Sequence, residues 1–393
     1  MTNDMVFRVL RASLFSSTEP LSLPDWKPVF EEMKQQTVAA LPGEWLKTNL
    51  PMAKTWLNYC AQKQGQWVRV MHGQDNLITL LNSHSIPCVI IKGAAAAMVY
   101  PHPTLRSMGD VDVLVKRKDY DIAAKLMEAN GYSLEHEKNE DHHHYGYSKD
   151  KLNFELHKRL GIVDEADEKL LTLFEDGIDN REWHQIGSYR FPTLPPLLNG
   201  LSLLFHINQH LRSGLGLRQI IDWMMYVNTL PDDQWIELLD LLKSVGMERL
   251  ALTTTAMCQR YLGLKEMKGT ETVDPGLCEE LMSFIMEKGN FGRKSGETGK
   301  IASVFFDLTN PLRAFRRLQA GGMCRWNAAK KHPILRPFAW IYQIGFIARE
   351  LIRNRIGAKD MIEQRGRGLE QRKLIEDLGL RVDRTIRYVH PDS

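Results

Sequence analysis

An α+β fold is predicted for this chain, with a small mixed sheet set between helical segments. Three observations predict it. Residues 1–84, and again those from Pro195 onward, carry apolar residues at three-to-four spacing, the period of amphipathic helices. Between them, short β-rich runs such as Val89-Ile90-Ile91 and Val113-Leu114-Val115 interrupt that period. The middle segment reads strand, helix, strand, helix and then consecutive strands, an order that makes a mixed sheet with helices packed on one side.

Each element follows from its local pattern. Val6 to Phe15, Trp26 to Leu41 and Lys54 to Ser83 are predicted helices, with Pro and Gly at the breaks. Pro87 to Ile91 is a short buried strand, and Ala94 to Tyr100 a helix of small residues. Asp110 to Val115 is a second strand, and Asp119 to Asn130 a helix closed by Gly131. Tyr132 to Glu137 and Tyr145 to Lys149 are strands flanking a polar loop, and Lys151 to His157 is another. The chain is helical again from Pro195 to about Leu262, with further helices beyond a polar Gly-rich connector at Gly289 to Gly299. Four regions result: N-terminal helices (1–84), a sheet-bearing core (85–194), a helical domain (195–310) and a basic helical C-terminal region (311–393).

Bulk properties narrow the class. A chain of 393 residues has room for two or three domains with ample core. The net charge of +3 says little, but its distribution is uneven. Residues 311–393 hold 18 Lys and Arg against 8 Asp and Glu, so the rest of the chain is net acidic. That basic region could hold RNA or an anionic membrane surface, or simply be solvated helices packed on the core. The last is expected, because Phe338, Trp340, Ile341, Ile344 and Ile347 form an apolar stripe that needs burial. The five cysteines are odd in number and scattered, which reads as reduced thiols rather than a disulfide frame or zinc site. Arg8 and Arg11 interrupt the only apolar N-terminal stretch, and Phe338 to Ala348 is too short to span a bilayer. A soluble, cytoplasmic protein is the expectation.

The chemistry-bearing residues cluster in the sheet. Asp110 and Asp112 lie two apart, so on a strand both side chains point to one face. Val111, Val113, Leu114 and Val115 mark that strand as buried, and two buried like charges need a compensating cation. In Asn153-Phe154-Glu155-Leu156-His157, alternation puts Glu155 and His157 on one face and the apolar residues on the other. An ordinary half-exposed strand would look the same, and His157 could orient a phosphate or Glu155 but is expected to share that polar face. Lys92 and Gly93 stand where a strand meets a helix, where backbone N–H groups and a close-approaching glycine suit phosphate. Arg106 is either a bidentate phosphate clamp or a solvated loop arginine.

Other candidates carry less. His142, His143 and His144 are consecutive and cannot all face one ion, so a loop near substrate is expected. His206 and His210 have metal-ligand spacing, but Ile207 stands where a zinc peptidase has Glu. Arg218 and Asp222, also four apart, are expected to form an ion pair that could face the cleft. Gly299-Lys300 is followed by Ile301 and preceded by Lys294 at the first glycine position, so it is no P-loop.

Four features in order, Lys92-Gly93, Tyr100-Pro101-His102-Pro103-Thr104-Leu105-Arg106, Asp110-Val111-Asp112 and Glu155-Leu156-His157, carry a resemblance. The segment from Ile86 to about Arg159 resembles the polymerase-beta-type nucleotidyltransferase superfamily, nearest to a bacterial family described as uncharacterised nucleotidyltransferases. A weaker echo runs from His206 to Asp222. The superfamily's usual Gly-Ser after the first strand is Lys92-Gly93-Ala94 here, which removes a phosphate-binding hydroxyl. The resemblance implies a polymerase-beta-like core and Mg²⁺- or Mn²⁺-dependent transfer of a nucleoside monophosphate from an NTP such as ATP to an acceptor hydroxyl, releasing pyrophosphate. It implies Asp110, Asp112 and Glu155 as metal-binding catalytic residues, with Glu155 completing the metal site or activating the attacking hydroxyl. Lys92, Gly93 and Arg106 would bind the nucleotide. The acceptor is open between a small molecule, a protein side chain and an RNA end. The alternative is a catalytically silent relative acting as a binding or regulatory module. On this reading Asp112→Asn abolishes activity while metal-free stability holds or rises, through relief of like-charge repulsion.

Overall fold

The computed structural model describes residues 2–15, 21–23, 25–135, 144–164, 166–212, 214–289, 311–353 and 358–381. They belong to two compact units, one within 1–291 plus 378–393, the other within 292–377. The first unit opens with helices α1 (Thr2–Phe15), α2 (Lys27–Gln35), α3 (Gly43–Asn49) and the long α4 (Lys54–Ser83). β1 (Cys88–Ile91), α5 (Gly93–Ala97), β2 (Val111–Val115), α6 (Tyr120–Ala129), β3 (Ser133–Leu134), β4 (His144–Lys149) and β5 (Leu152–His157) follow. The five strands form one mixed sheet in the order β1-β2-β5-β4-β3, with β2 and β5 parallel and the other neighbours antiparallel. This is the α+β architecture expected.

Strand alternation gives the sheet two unlike faces. Val111, Val113, Val115, Phe154 and Leu156 belong to one buried core with Val70, Met71 and Leu77 of α4 and Ala123, Ala124 and Met127 of α6. Gly73 lets α4 come close to the sheet, since a Cβ there would meet Leu152 Cδ1 at 2.6 Å. The opposite face carries Asp112, Glu155 and His157. Their register is set by a two-residue hairpin, Asp150 and Lys151, both left-handed at φ 51° and 62°. That turn puts His144 opposite His157 and Gly146 opposite Glu155. A one-residue slip would turn Glu155 into the core.

Beyond β5 the expectations named no element before Pro195, and several are present. α7 (Glu168–Asp179) starts where the Asp167 carboxylate accepts from Leu170 N at 3.1 Å. β6 (Glu182–Ile186) and β7 (Tyr189–Thr193) form a separate hairpin, turned at Gly187 with φ 60°. Then come α8 (Pro196–His210), α9 (Leu217–Thr229), α10 (Asp232–Ser244), α11 (Glu248–Leu262) and α12 (Pro275–Lys288). The helix expected over Trp26 to Leu41 is instead broken after Gln35. Buried Gln36 donates through Nε2 to Ile285 O at 3.1 Å and accepts from Leu217 N at 3.0 Å. Those bonds tie the end of α2 to α12 and to the first turn of α9, and Thr37 turns the chain at φ 58°. α5 also ends early, at Ala97, because Tyr100 precedes Pro101 and a helix is disfavoured there.

The strand expected over Tyr132 to Glu137 is seen at Ser133–Leu134. Its end, His142, His143 and the connector after Gly289 lie outside the described residues. Cys60, Cys88, Cys258 and Cys278 are buried free thiols. Among the described residues no helix is long and apolar enough to cross a membrane.

In the second unit the Pro311–Arg325 helix packs along the Ala339–Arg353 helix. The expected burial of the apolar stripe is not observed: Phe338, Ile341 and Ile344 are 52%, 50% and 44% exposed. The packed face of that helix carries Ala339 and Gln343, which fit against Gly322 and Gly321.

Candidate active site

β2 and β5 run parallel with Asp112 beside Glu155, so the two carboxylates share a face by register. Asp110, just before β2, lies two residues back on the same side. One oxygen from each of Asp110, Asp112 and Glu155 falls within 4.8 Å of the others. The three acids converge because the parallel pairing of β2 with β5 brings the two strands' polar sides together. They line a cleft of about 190 Å³ together with Lys92, Gly93, Arg106 and His144, faced by His206, Gln209 and His210 of α8 and Arg218 of α9.

The acids are already partly neutralised by the chain itself. Lys92 Nζ donates to Asp112 Oδ1 at 2.9 Å, and His157 Nε2 is 3.0 Å from the same oxygen. His157 Nε2 also lies 3.2 Å from Glu155 Oε2. Lys92 reaches Asp112 from a strained backbone, φ 59° with ψ −136°, a geometry that costs about 1–3 kcal/mol for a residue with a side chain. Gly93 follows at φ 33°, so glycine serves the backbone there; a Cβ would meet Met108 only at 3.6 Å. Burial opposes the charge on both Lys92 and His157, yet the surrounding carboxylates outweigh it and raise both pKa values. Burial likewise pushes Glu155 up, but the bond from His157 and the charges of His157 and Lys92 pull it down to about 2. His157 is therefore part of this charge network and 97% buried, not a bystander on a polar face.

Arg106 is tied elsewhere. Its Nε donates to Asp222 Oδ1 at 2.8 Å and its Nη2 to Asp222 Oδ2 at 2.6 Å, while Tyr100 OH donates to Oδ1 at 2.6 Å. Both members of the pair are buried, at 4% and 2% exposure. The helical i, i+4 pair expected between Arg218 and Asp222 is thus replaced by a long-range fork that joins the loop before β2 to α9. Arg218 instead lines the cleft, and its buried Nε has no hydrogen-bond partner among the described residues. Burial, then the nearby Arg106, lowers its pKa. His206 and His210 are held neutral, burial first and Lys92 second lowering both, His210 to about 3.

His157, Arg218 and the Arg106–Asp222 fork were the residues whose parts sequence reasoning missed. The Glu-x-His spacing did put His157 on the right face, but nothing local marks Asp222 as the partner of a residue 116 positions earlier.

The donor chemistry fits a hard divalent cation. Three carboxylates supply oxygen ligands, and in this arrangement the Lys92 ammonium and the His157 imidazole crowd Asp112, as expected where a carboxylate cluster demands positive charge. A family model described as uncharacterised nucleotidyltransferase matches residues 23–263. That span runs from before α2 through α11, so it takes in the whole cleft. No curated protein matches the chain.

Proposed function

The chain belongs to the uncharacterised nucleotidyltransferase family, and from that premise we propose that its cleft transfers a nucleoside monophosphate from an NTP to an acceptor hydroxyl, with release of pyrophosphate. The observation that carries this is the convergence of Asp110, Asp112 and Glu155 on one sheet face. These residues would hold Mg²⁺ or Mn²⁺. Such an ion supplies charge neutralisation for the phosphates and a Lewis acid for the attacking hydroxyl.

The remaining steps belong to the chain's own residues. A Glu155 carboxyl near pKa 2 stays ionised at neutral pH, which favours the ligand role over that of proton acceptor. Lys92 is a charged donor beside Asp112 and suits a phosphate oxygen once a cation takes its place there. Gly93 opens the backbone next to it. Arg106 lines the same wall, but its fork is committed to Asp222, so its proposed part is to hold α9 against the sheet rather than to grip phosphate directly. Arg218 is the cleft cation with an unsatisfied donor, and suits the leaving pyrophosphate.

A second reading, a catalytically silent binding module, is favoured by one observation: Lys92 and His157 already satisfy Asp112 without a metal. Incubation with labelled NTPs, Mg²⁺ or Mn²⁺ and cell extract separates the two. Transfer of label to any fraction, lost in Asp112→Asn, supports the enzyme. Metal-independent nucleotide binding with no transfer in any fraction would sink it and favour the silent module.

A further inference from the structure

The Ala339–Arg353 helix of the second unit turns most of its described large apolar side chains outward. On the Ala339–Arg353 helix, Ile341, Ile344 and Ile352 are 50%, 44% and 79% exposed, and their spacing of three and eight puts them on one stripe. Phe338 at 52% extends that stripe by one turn. The buried side of the same helix starts small and polar, Ala339 backbone against Gly322 and Gln343 against Gly321, with Ile347 half-buried one turn on. Such close packing through glycines, with the large apolar groups turned outward, is the distribution found where the surroundings are lipid rather than water.

Charge says what kind of lipid. Residues 311–353 contain nine Lys and Arg and a single acid, Glu350. Arg349 and Arg353 lie beside the isoleucine stripe on the same helix, and Lys330 and Lys331 end the short Asn327–Lys331 helix before it. Trp326 and Tyr342 stack at 5.2 Å, amphipathic rings of the kind that settle at headgroup level. The helix is 15 residues long, and no described helix meets the length and hydropathy of a spanning segment, so this face would lie on a bilayer rather than cross it.

We propose that the Phe338–Ile341–Ile344–Ile352 face of the second unit docks on an anionic phospholipid surface, with the neighbouring Lys and Arg pairing with headgroups. RNA would use the basic residues but leaves the isoleucines unexplained, and a second copy of this chain would place like charge against like. The proposal does not rest on the nucleotidyl-transfer reading.

Flotation of the full chain with vesicles tests it. The chain is expected to float with equimolar phosphatidylglycerol and phosphatidylcholine vesicles, not with phosphatidylcholine alone, and less so as salt is raised. The double variant Ile341→Ser with Ile344→Ser, at exposed positions, should keep its thermal transition and bind about tenfold more weakly. Lys330→Gln with Lys331→Gln should weaken binding while leaving the fold untouched. Failure of the parent chain to float with anionic vesicles overturns the proposal. So does equal flotation of the serine variant with its fold intact, or loss of a concentration-dependent dimer in that variant without any vesicle binding.

Discussion

The two walls of the cleft use the same ionic chemistry in opposite ways. On the sheet wall, Lys92 meets Asp112 with its own side chain 18% exposed, and the acid is shared with His157. On the helical wall, Asp222 receives two bonds from Arg106 and one from Tyr100, with acid and guanidinium both essentially sealed. The first arrangement is a cation standing at an open cleft, which another cation can replace. The second is a closed fork, in which Asp222 accepts three hydrogen bonds and the buried pair is kept from water. One is suited to exchange and the other to holding two segments together. The difference lies in the exposure of the cation, in a guanidinium's fork against an ammonium's single contact, and in how fully each carboxylate is satisfied.

Breaking the closed fork should have the largest effect. Asp222→Asn leaves the buried Arg106 guanidinium without its counter-charge, and a stability loss of about 3–5 kcal/mol is expected in denaturant titration. An unchanged midpoint would mean that Arg106 finds another partner or water, and the contrast between the walls would fail.

Asp112→Asn tests the open wall. Label transfer should disappear, and metal-free stability should fall by about 1.5–3 kcal/mol, because the Lys92 and His157 bonds to a charged acceptor are weakened. This reverses the expectation from sequence, in which only repulsion between acids was considered. A metal-free variant as stable as the parent would restore that earlier view.

A smaller, sharper effect is expected at Arg218. Arg218→Gln should weaken binding of a non-hydrolysable NTP about tenfold, affect the matching NMP little, and leave stability unchanged or higher, since no bond to the chain's described residues is lost. Equal weakening of NTP and NMP would remove the pyrophosphate role while leaving the family assignment untouched.

The effect that is smallest at neutral pH is at His210, and it grows only as pH falls. His210 is held near pKa 3 in the folded chain, well below its ordinary 6.5. Between those values the unfolded chain binds the extra proton, so stability is present above about pH 6.5 and declines as pH falls towards 3. The slope from this residue is at most about 1.4 kcal/mol per pH unit. His210→Gln should flatten the acid limb of the stability curve, and an unaltered limb would show that His210 is not held neutral.

Much of the sheet wall was legible in the chain before folding. Period-two alternation puts Asp110 with Asp112 and Glu155 with His157, and it needs only that the strands exist. The hairpin at 182–193 has a local signal too, Gly187 between two short β-prone runs. The helical wall was not legible. Arg218 and Asp222 have helical spacing for a pair, and local geometry would join them; only the arrival of the loop before β2 gives Asp222 a better, bidentate partner in Arg106. The break after α2 has the same character, since Gln36 leaves the helix to satisfy groups on α9 and α12.

By itself the sequence determined the fold class, the pairing of Asp110 with Asp112 and of Glu155 with His157 on one side of their strands, and the surplus of positive charge after residue 310. Each depends on period, composition or contacts a few residues apart. Tertiary structure alone decided which cation each acid holds, that among the described residues Arg218 rather than Arg106 keeps an unsatisfied donor in the cleft, and that Ile341, Ile344 and Ile352 face outward. Those outcomes depend on burial and on competition among partners distant in the chain, where a hydrogen bond a few tenths of an ångström shorter, or a glycine that admits a backbone, selects one pairing over another.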